Sequence, residues 1–212
     1  MLKMKKIVLL SVILLFFHAL SAQKGNAEYG LNFGFTHSSP VNFVSKSYSV
    51  WAMKPLISKQ FGITAAFQLT NSYALRFGLN WEKRGFRDST VICDIRSCFR
   101  SEDELSRQYV SVPIVNEFQF LKQHLFVLAG VDISFRAKDT HNDVIDVSND
   151  FGLIAGVGTQ WYLTPRLRWR LESRATRSTN GWSSKYSEFT DSGLMIYSIS
   201  TGFSYVFKRK GT

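Results

Sequence analysis

The feature that most constrains this chain is an alternation of apolar residues with small or polar ones, repeated in eight segments. Between positions 75 and 82, for example, leucine, phenylalanine and tryptophan alternate with arginine, glycine, asparagine and glutamate. Successive side chains of a β-strand point to opposite faces, so a period of two predicts strands with one apolar face. Most segments are long enough for the roughly 9 to 11 residues of a tilted transmembrane strand. The other seven segments begin near Tyr29, Phe61, Val110, Leu125, Phe151, Leu167 and Tyr197.

The second face of these strands distinguishes a membrane barrel from a soluble one. It combines glycines with charged side chains, whereas the first face is apolar and aromatic. On a water-exposed face so many glycines would weaken the strands without any gain in packing. In a narrow barrel lumen they fit, and the charges can pair. The pattern predicts an all-β fold, an eight-stranded antiparallel up-and-down transmembrane β-barrel. Its predicted lumen charge network is Arg76, Glu82, Arg84, Glu117, Asp132, Arg136, Asp150, Arg168, Arg170, Glu172 and Arg174.

The connections between the segments alternate in length. Long or intermediate connections are expected at 36–60, 88–107, 138–148 and 178–194, and short ones near 70–73, 121–124 and 163–166. Small outer-membrane barrels have short periplasmic turns and longer external loops. The chain is therefore expected to have four external loops and both termini in the periplasm.

The N-terminal segment has the composition of a secretory signal peptide. Lys3, Lys5 and Lys6 precede an apolar stretch over 7–17, and small residues allow cleavage after Ser21 or Ala22. The apolar stretch is shorter than the roughly 20 residues of a spanning helix, which disfavours an uncleaved anchor. We expect a signal peptide over 1–22 and an outer-membrane barrel domain over 23–212. Removing the three lysines lowers the formal charge from +10 to +7. No nucleic-acid partner is expected, because the chain is exported and its arginines are not clustered.

The last segment carries a more specific pattern. Ser200, Gly202, Tyr205 and Phe207 resemble the C-terminal insertion signal that the barrel assembly machinery reads in outer-membrane barrels. Such chains usually stop at the final aromatic residue, whereas five residues follow Phe207 here.

The order of the segments resembles the PorT-like family of outer-membrane barrels, small eight-stranded barrels of the OmpA/OmpX type in Gram-negative bacteria. The resemblance rests on the first, third, fourth, sixth and last segments and covers nearly the whole mature chain. It implies the fold strongly and an activity weakly, although the family's namesake is associated with a secretion and gliding apparatus. The residues that carry it are Tyr29-Gly-Leu-Asn-Phe-Gly34, Ala74-Leu-Arg-Phe-Gly-Leu-Asn-Trp-Glu-Lys-Arg-Gly85, Tyr109-Val-Ser-Val-Pro-Ile114, Asp150-Phe-Gly-Leu-Ile-Ala-Gly-Val-Gly158 and Gly202-Phe-Ser-Tyr-Val-Phe207.

Two places offer candidate chemistry. His37, followed by two serines, is where lipid-remodelling chemistry could begin, but a general base needs an orienting acid and no pattern supplies one. Cys93 and Cys98 lie in the predicted second external loop, and in an oxidising compartment such closely spaced cysteines favour a disulfide. We expect no catalytic, cofactor-binding or metal-binding residues.

The sequence therefore predicts a monomeric, non-enzymatic outer-membrane protein that acts as a structural or interaction platform through its external loops. Its expected partners are outer-membrane lipids, lipopolysaccharide and the barrel assembly machinery; the external partner is not identified. Three alternatives stay open: a small pore, an accessory component of a protein secretion system, and a lipid A-remodelling enzyme.

Overall fold

A computed structural model describes residues 27–40, 51–94, 97–139, 149–179 and 193–207. These residues form eight strands connected in one closed barrel, in which every strand pairs with its neighbours in chain order. The predicted fold class, an eight-stranded antiparallel barrel, is confirmed. The strands are β1 (Ala27–Pro40), β2 (Trp51–Thr70), β3 (Tyr73–Asp94), β4 (Ser97–Phe120), β5 (Leu125–Asp139), β6 (Asp150–Tyr162), β7 (Leu167–Ser178) and β8 (Leu194–Phe207).

The barrel closes through antiparallel pairing of the first and last strands. Tyr29 lies opposite Tyr205, and Pro40 lies opposite Leu194. Because closure leaves no sheet edge, the backbone groups of β1 and β8 find partners within the barrel. Within the described residues, no helix is long and apolar enough to cross a membrane.

Three short turns lie at the same end of the barrel, which we call the turn end; the opposite end is the loop end. The β4–β5 turn places Leu121, Lys122 and Gln123 at positive φ. In the β6–β7 turn the Thr164 hydroxyl accepts a hydrogen bond from the backbone N–H of Leu167 at 3.0 Å. These turns agree with the short connections predicted from the sequence.

At the loop end the structure differs from one prediction. The connection expected at 88–107 is mostly paired strand, because β3 and β4 stay in register from Arg84 opposite Arg107 to Asp94 opposite Ser97. Strand β2 follows this extension as far as Trp51, which lies opposite Thr90. The expected loop at 36–60 likewise begins and ends in strand. The signal peptide over 1–22 and most of the other predicted loops lie outside the described residues.

Candidate functional site: the barrel interior and its outer belt

The interior of the barrel is polar and charged. Ten of the eleven residues predicted for the lumen network are buried; Arg136 is the exception. With two further charged residues that the prediction omitted, the described residues place six arginines and six carboxylates in the interior. The arginines are Arg76, Arg84, Arg107, Arg168, Arg170 and Arg174, and the acids are Glu28, Glu82, Glu117, Asp132, Asp150 and Glu172.

Towards the loop end, one arginine binds three acids. The Arg84 guanidinium donates to Asp132 at 2.5 Å, to Asp150 at 3.1 Å, and through Nε to Glu82 at 3.0 Å. Two uncharged hydroxyl groups complete the cluster. Ser134 donates a hydrogen bond to Asp132 at 2.7 Å, and Ser178 donates one to Asp150 at 2.6 Å. Carboxylates from β3, β5 and β6 are thereby held together by a single side chain of β3.

In the middle of the barrel the pairing continues across the lumen. Arg76 on β3 forms ion pairs with Glu117 on β4 and with Glu172 on β7, and Arg174 forms one with Glu172. Arg170 on β7 also reaches Glu117, at 2.7 Å. Since β3 and β4 lie across the barrel from β7, the Arg76–Glu172 and Arg170–Glu117 pairs bridge the lumen from wall to wall.

Glu28 was missed by the sequence analysis. It accepts hydrogen bonds from Arg168 at 2.8 Å and from Arg170 at 3.3 Å, and the Ser204 hydroxyl also donates to it. The first segment was begun at Tyr29, so the preceding residue was not assigned to a face. Its position next to Tyr29 in an alternating strand would have placed it inside.

Arg136 was predicted inside and is exposed. The β4–β5 register shifts between Gln108 and Tyr109, close to the loop end, and Arg136 pairs with Tyr109 immediately beside this irregularity. Tyr109 is buried, so the register keeps Arg136 on the inner face of the sheet, at the loop end where its side chain is exposed. The six predicted arginines exceeded the five predicted acids by one. Arg107, on the neighbouring strand, is buried in place of Arg136, and the addition of Glu28 makes the described interior set neutral.

An aromatic side chain also fills part of the lumen. Phe126 is buried, and the guanidinium groups of Arg170 and Arg76 lie 4.5 and 5.2 Å from its ring centre. Gly158 on the adjacent strand makes room for this ring, since a Cβ at that position would collide with it. A glycine on the lumen face here permits a large side chain opposite, as the narrow-lumen interpretation requires.

Apolar side chains lie above the charges at the loop end, where Phe86, Tyr109, Leu194 and Ile196 form one buried cluster. Two internal cavities among the charged residues measure about 20 and 10 Å³. A cavity of about 10 to 15 Å³ is large enough for one water molecule. At the turn end a wider recess is lined by residues that include Gln68, Tyr162 and Arg168.

The outer surface is the reverse of the interior. Its exposed side chains are largely aliphatic and aromatic; Leu31 and Ile199, for example, are 66% and 62% exposed. Near the turn end, Trp161 and Trp169 stack with ring centres 4.8 Å apart, and the Trp169 indole donates to Thr201 at 2.8 Å. Asn116, which interrupts the apolar face in the sequence, accepts a hydrogen bond from the Tyr73 hydroxyl at 2.6 Å. Its polar group therefore has a partner on this surface.

The remaining predicted residues fall into separate places. On β8, Ser200 and Gly202 face the interior of the barrel, whereas Tyr205 and Phe207 lie on the outer face near the turn end. His37 lies near the loop end, with its ring 6.2 Å from that of Tyr197. Cys93 and Cys98 lie directly opposite each other in the β3–β4 backbone register. Their side chains are outside the described part, so the disulfide stays a prediction.

Comparison with known proteins supports the fold. The chain is similar to the outer membrane protein OprG from Pseudomonas aeruginosa, with 10% identity over 86% of this chain and 97% of that one, and a TM-score of 0.53. AlkL, an outer membrane protein, matches at 14% identity over 88% and 92%, with a TM-score of 0.49. Neisserial surface protein A matches at 11% over 85% and 97%, with a TM-score of 0.48.

No family model and no curated protein matches the chain. At these identities the similarity concerns the fold alone. The PorT-like resemblance therefore stays a prediction.

Proposed function

We propose that this protein is an integral outer-membrane β-barrel whose lumen is plugged by its own side chains and whose loop end serves as a structural or interaction platform. The observation that carries the proposal is the neutral set of paired charges that spans the interior, combined with the apolar outer belt. The loop end faces outward and both termini lie in the periplasm.

The outer surface supports membrane insertion because it exposes many apolar side chains, whose contact with water would be unfavourable. Large contiguous apolar surfaces are rare on soluble monomers and are expected on a barrel in lipid. On β3 the belt runs from Tyr73 near the turn end to Trp81, which is roughly 27 Å along the strand at about 3.4 Å per residue. A tilt of about 40° reduces this to roughly 21 Å of depth, close to the apolar band of outer-membrane barrels.

The interior supports a closed lumen for a geometric reason. Eight strands enclose a space that side chains can just fill. Here the arginines bridge opposite walls, and the internal cavities at the charges hold about one water molecule each. An ion crossing the barrel would have to displace Arg76 or Arg84 from their carboxylates.

The platform role rests on the strand extension at the loop end. Strands β3 and β4 continue in register beyond Arg87, opposite Glu104, up to Asp94, opposite Ser97. These seven paired residues of β3 correspond to about 24 Å of strand at about 3.4 Å per residue. This extension lies beyond the charged lumen and is available for contact with a partner outside the cell.

Planar-bilayer recording tests the plugged lumen. The full mature protein, reconstituted at the same protein-to-lipid ratio as a porin that serves as the positive control, is expected to give no steady conductance steps. Steady, ion-selective conductance of the unmodified protein would overturn the plugged lumen and favour a pore.

Two further measurements test the platform. A photo-crosslinking residue at Thr90, in the extension, is expected to capture an external partner in intact cells, whereas the same residue at Leu163, in a turn at the other end, is not. Equal capture from both ends would contradict the platform. We also propose that the protein is not an enzyme; mass spectra of lipid A from cells with and without it are expected to be identical.

A further inference from the structure

Near the loop end, cationic side chains appear on the outer faces of β2 and β3, beside exposed apolar residues such as Ile57. Ile63 pairs with Leu79, and Phe61 pairs with Trp81, all on the outer face. One step further along each strand the outward residues are Lys59 and Lys83. Arg87 lies four residues beyond Lys83 on β3, with the buried Gly85 between them. We call Lys59, Lys83 and Arg87 the cationic collar.

The collar begins where the regular β2–β3 pairing ends. Gln60 lies opposite Glu82, Lys59 and Lys83 are the next residue on each strand, and the register shifts between Gln60 and Pro55. The pairing of Lys59 with Phe35 on β1 confirms that Lys59 shares the outer face. Lys59 and Arg87 are exposed, and Lys83 is partly exposed.

The collar carries an excess of positive charge. The described carboxylate that contacts it is Glu104 on β4, which lies 2.5 Å from Lys83 and 3.6 Å from Arg87. The hydrogen bond from Lys83 lowers the pKa of Glu104 below its usual range, so this carboxylate is charged at neutral pH. Among the described side chains, the three collar cations exceed this one acid by two positive charges.

We propose that the cationic collar binds the phosphate groups of an anionic lipid in the outer leaflet, of the phosphorylated lipid A class. This inference rests on the proposed function, because it requires the belt to lie in the membrane with the loop end outward. The collar then begins one residue pair above the interfacial aromatic residues, at the depth of the lipid headgroups. Lysine and arginine stems extend along apolar surface while their charged ends reach that level.

The chemistry of the collar fits phosphate. Arginine binds phosphate oxygens in a two-pronged geometry, and lysine adds a mobile point charge. Glu104 holds Lys83 near Arg87 and leaves Arg87 more than half exposed, at 54% of its side-chain surface. An arriving phosphate can therefore contact Arg87 and Lys59 without first breaking the shorter Lys83–Glu104 pair.

The test measures how much bisphosphorylated lipid A remains bound to the full mature protein in native mass spectra. The variant Lys59→Gln/Lys83→Gln/Arg87→Gln is compared with the unmodified protein and with Arg177→Gln, which removes an exposed cation at the same end on the far side of the barrel. Each collar cation is expected to contribute on the order of fivefold in affinity. The triple variant should lose most of the bound lipid, and Arg177→Gln should lose little.

A variant of opposite sign strengthens the test. Glu104→Gln removes the acid from the collar and is expected to increase lipid A retention a fewfold. Dephosphorylated lipid A should bind the unmodified protein as weakly as the triple variant binds the phosphorylated form. Inorganic phosphate at millimolar concentration should not displace the lipid, since the apolar belt holds its acyl chains.

Three outcomes would overturn the proposal: equal retention by the triple variant, equal retention of the dephosphorylated lipid, or an equal loss in Arg177→Gln. Displacement by inorganic phosphate would show a free-anion site instead of a lipid site. Heat-modified gel mobility of each variant reports whether the barrel is folded. Failure of the unmodified protein to insert into lipid would contradict the proposed function, whereas insertion without selectivity for phosphorylated lipid contradicts only the collar.

Discussion

Removing Arg84 is the sharpest test of the interior network. This side chain forms ion pairs with Glu82, Asp132 and Asp150, all of them buried. Breaking one buried ion pair by deleting a partner typically costs about 3 to 5 kcal/mol, because the remaining charge stays buried without compensation. Arg84→Ala leaves three such carboxylates, so we expect a loss at the upper end, about 5 kcal/mol. That is a large part of the roughly 5 to 15 kcal/mol by which proteins are stable.

The assay is urea titration of the barrel folded into short-chain phosphatidylcholine vesicles, followed by tryptophan fluorescence and by heat-modified mobility on gels. Arg177→Ala is the matched control, because this arginine is exposed near the loop end of β7. Its free energy of unfolding should change by less than about 0.5 kcal/mol, as for most surface substitutions.

A compensating variant keeps the test decisive if Arg84→Ala does not fold. Arg84→Met combined with Glu82→Gln and Asp132→Asn removes two of the stranded charges and leaves Asp150 with the Ser178 hydrogen bond. We expect this triple variant to recover at least half of the lost stability. A loss below about 1 kcal/mol in Arg84→Ala, or no recovery in the triple variant, would refute the reasoning that burial of unpaired charge dominates.

Three further predictions concern other parts of the barrel. Val157→Arg, in the middle of the outer belt, should lower the free energy of folding into lipid by about 2 to 4 kcal/mol, whereas Leu163→Arg at the turn end should cost less than about 1 kcal/mol; equal costs in the same titration would contradict the assigned faces. Thiol labelling of denatured, unreduced protein should find no reactive thiol if Cys93 and Cys98 are bonded; two per chain would end that idea. Gly158→Ala should destabilise the barrel by about 1 to 3 kcal/mol in the same titration, because its methyl group would overlap the buried phenylalanine ring; an unchanged midpoint would contradict the close approach.

The strand faces were predictable because a period of two assigns every residue of a regular strand at once. Asp132, Glu172 and Arg76 were placed inside from this rule alone, and the structure buries all three. The rule did not give burial at the loop end, where Arg136 lies opposite the buried Tyr109 but is exposed. It also failed at Glu28, because the start of a strand is not marked by the alternation itself.

The pairing within the interior was beyond the reach of the sequence. Periodicity gives the face of a residue but not its height relative to other strands, which depends on the stagger of the closed barrel. Arg76 and Glu172 are 96 positions apart in the chain, and only closure of β8 onto β1 brings their strands into one lumen. The extension of β3 and β4 was missed for a related reason, because charged residues outside the membrane do not follow the apolar alternation.

The neutral interior also indicates where the function of this barrel lies. A lumen that selects ions would need an excess of one sign along its wall, whereas in the described part of the barrel six arginines face six carboxylates. Removing one member leaves a buried charge without its partner, so substitutions within the network are costly. The outer belt is committed to lipid in the same way. The strand extension and the cationic collar both lie at the loop end, on β3 and its neighbours. Function is therefore best sought there, between the lipid headgroups and the exterior.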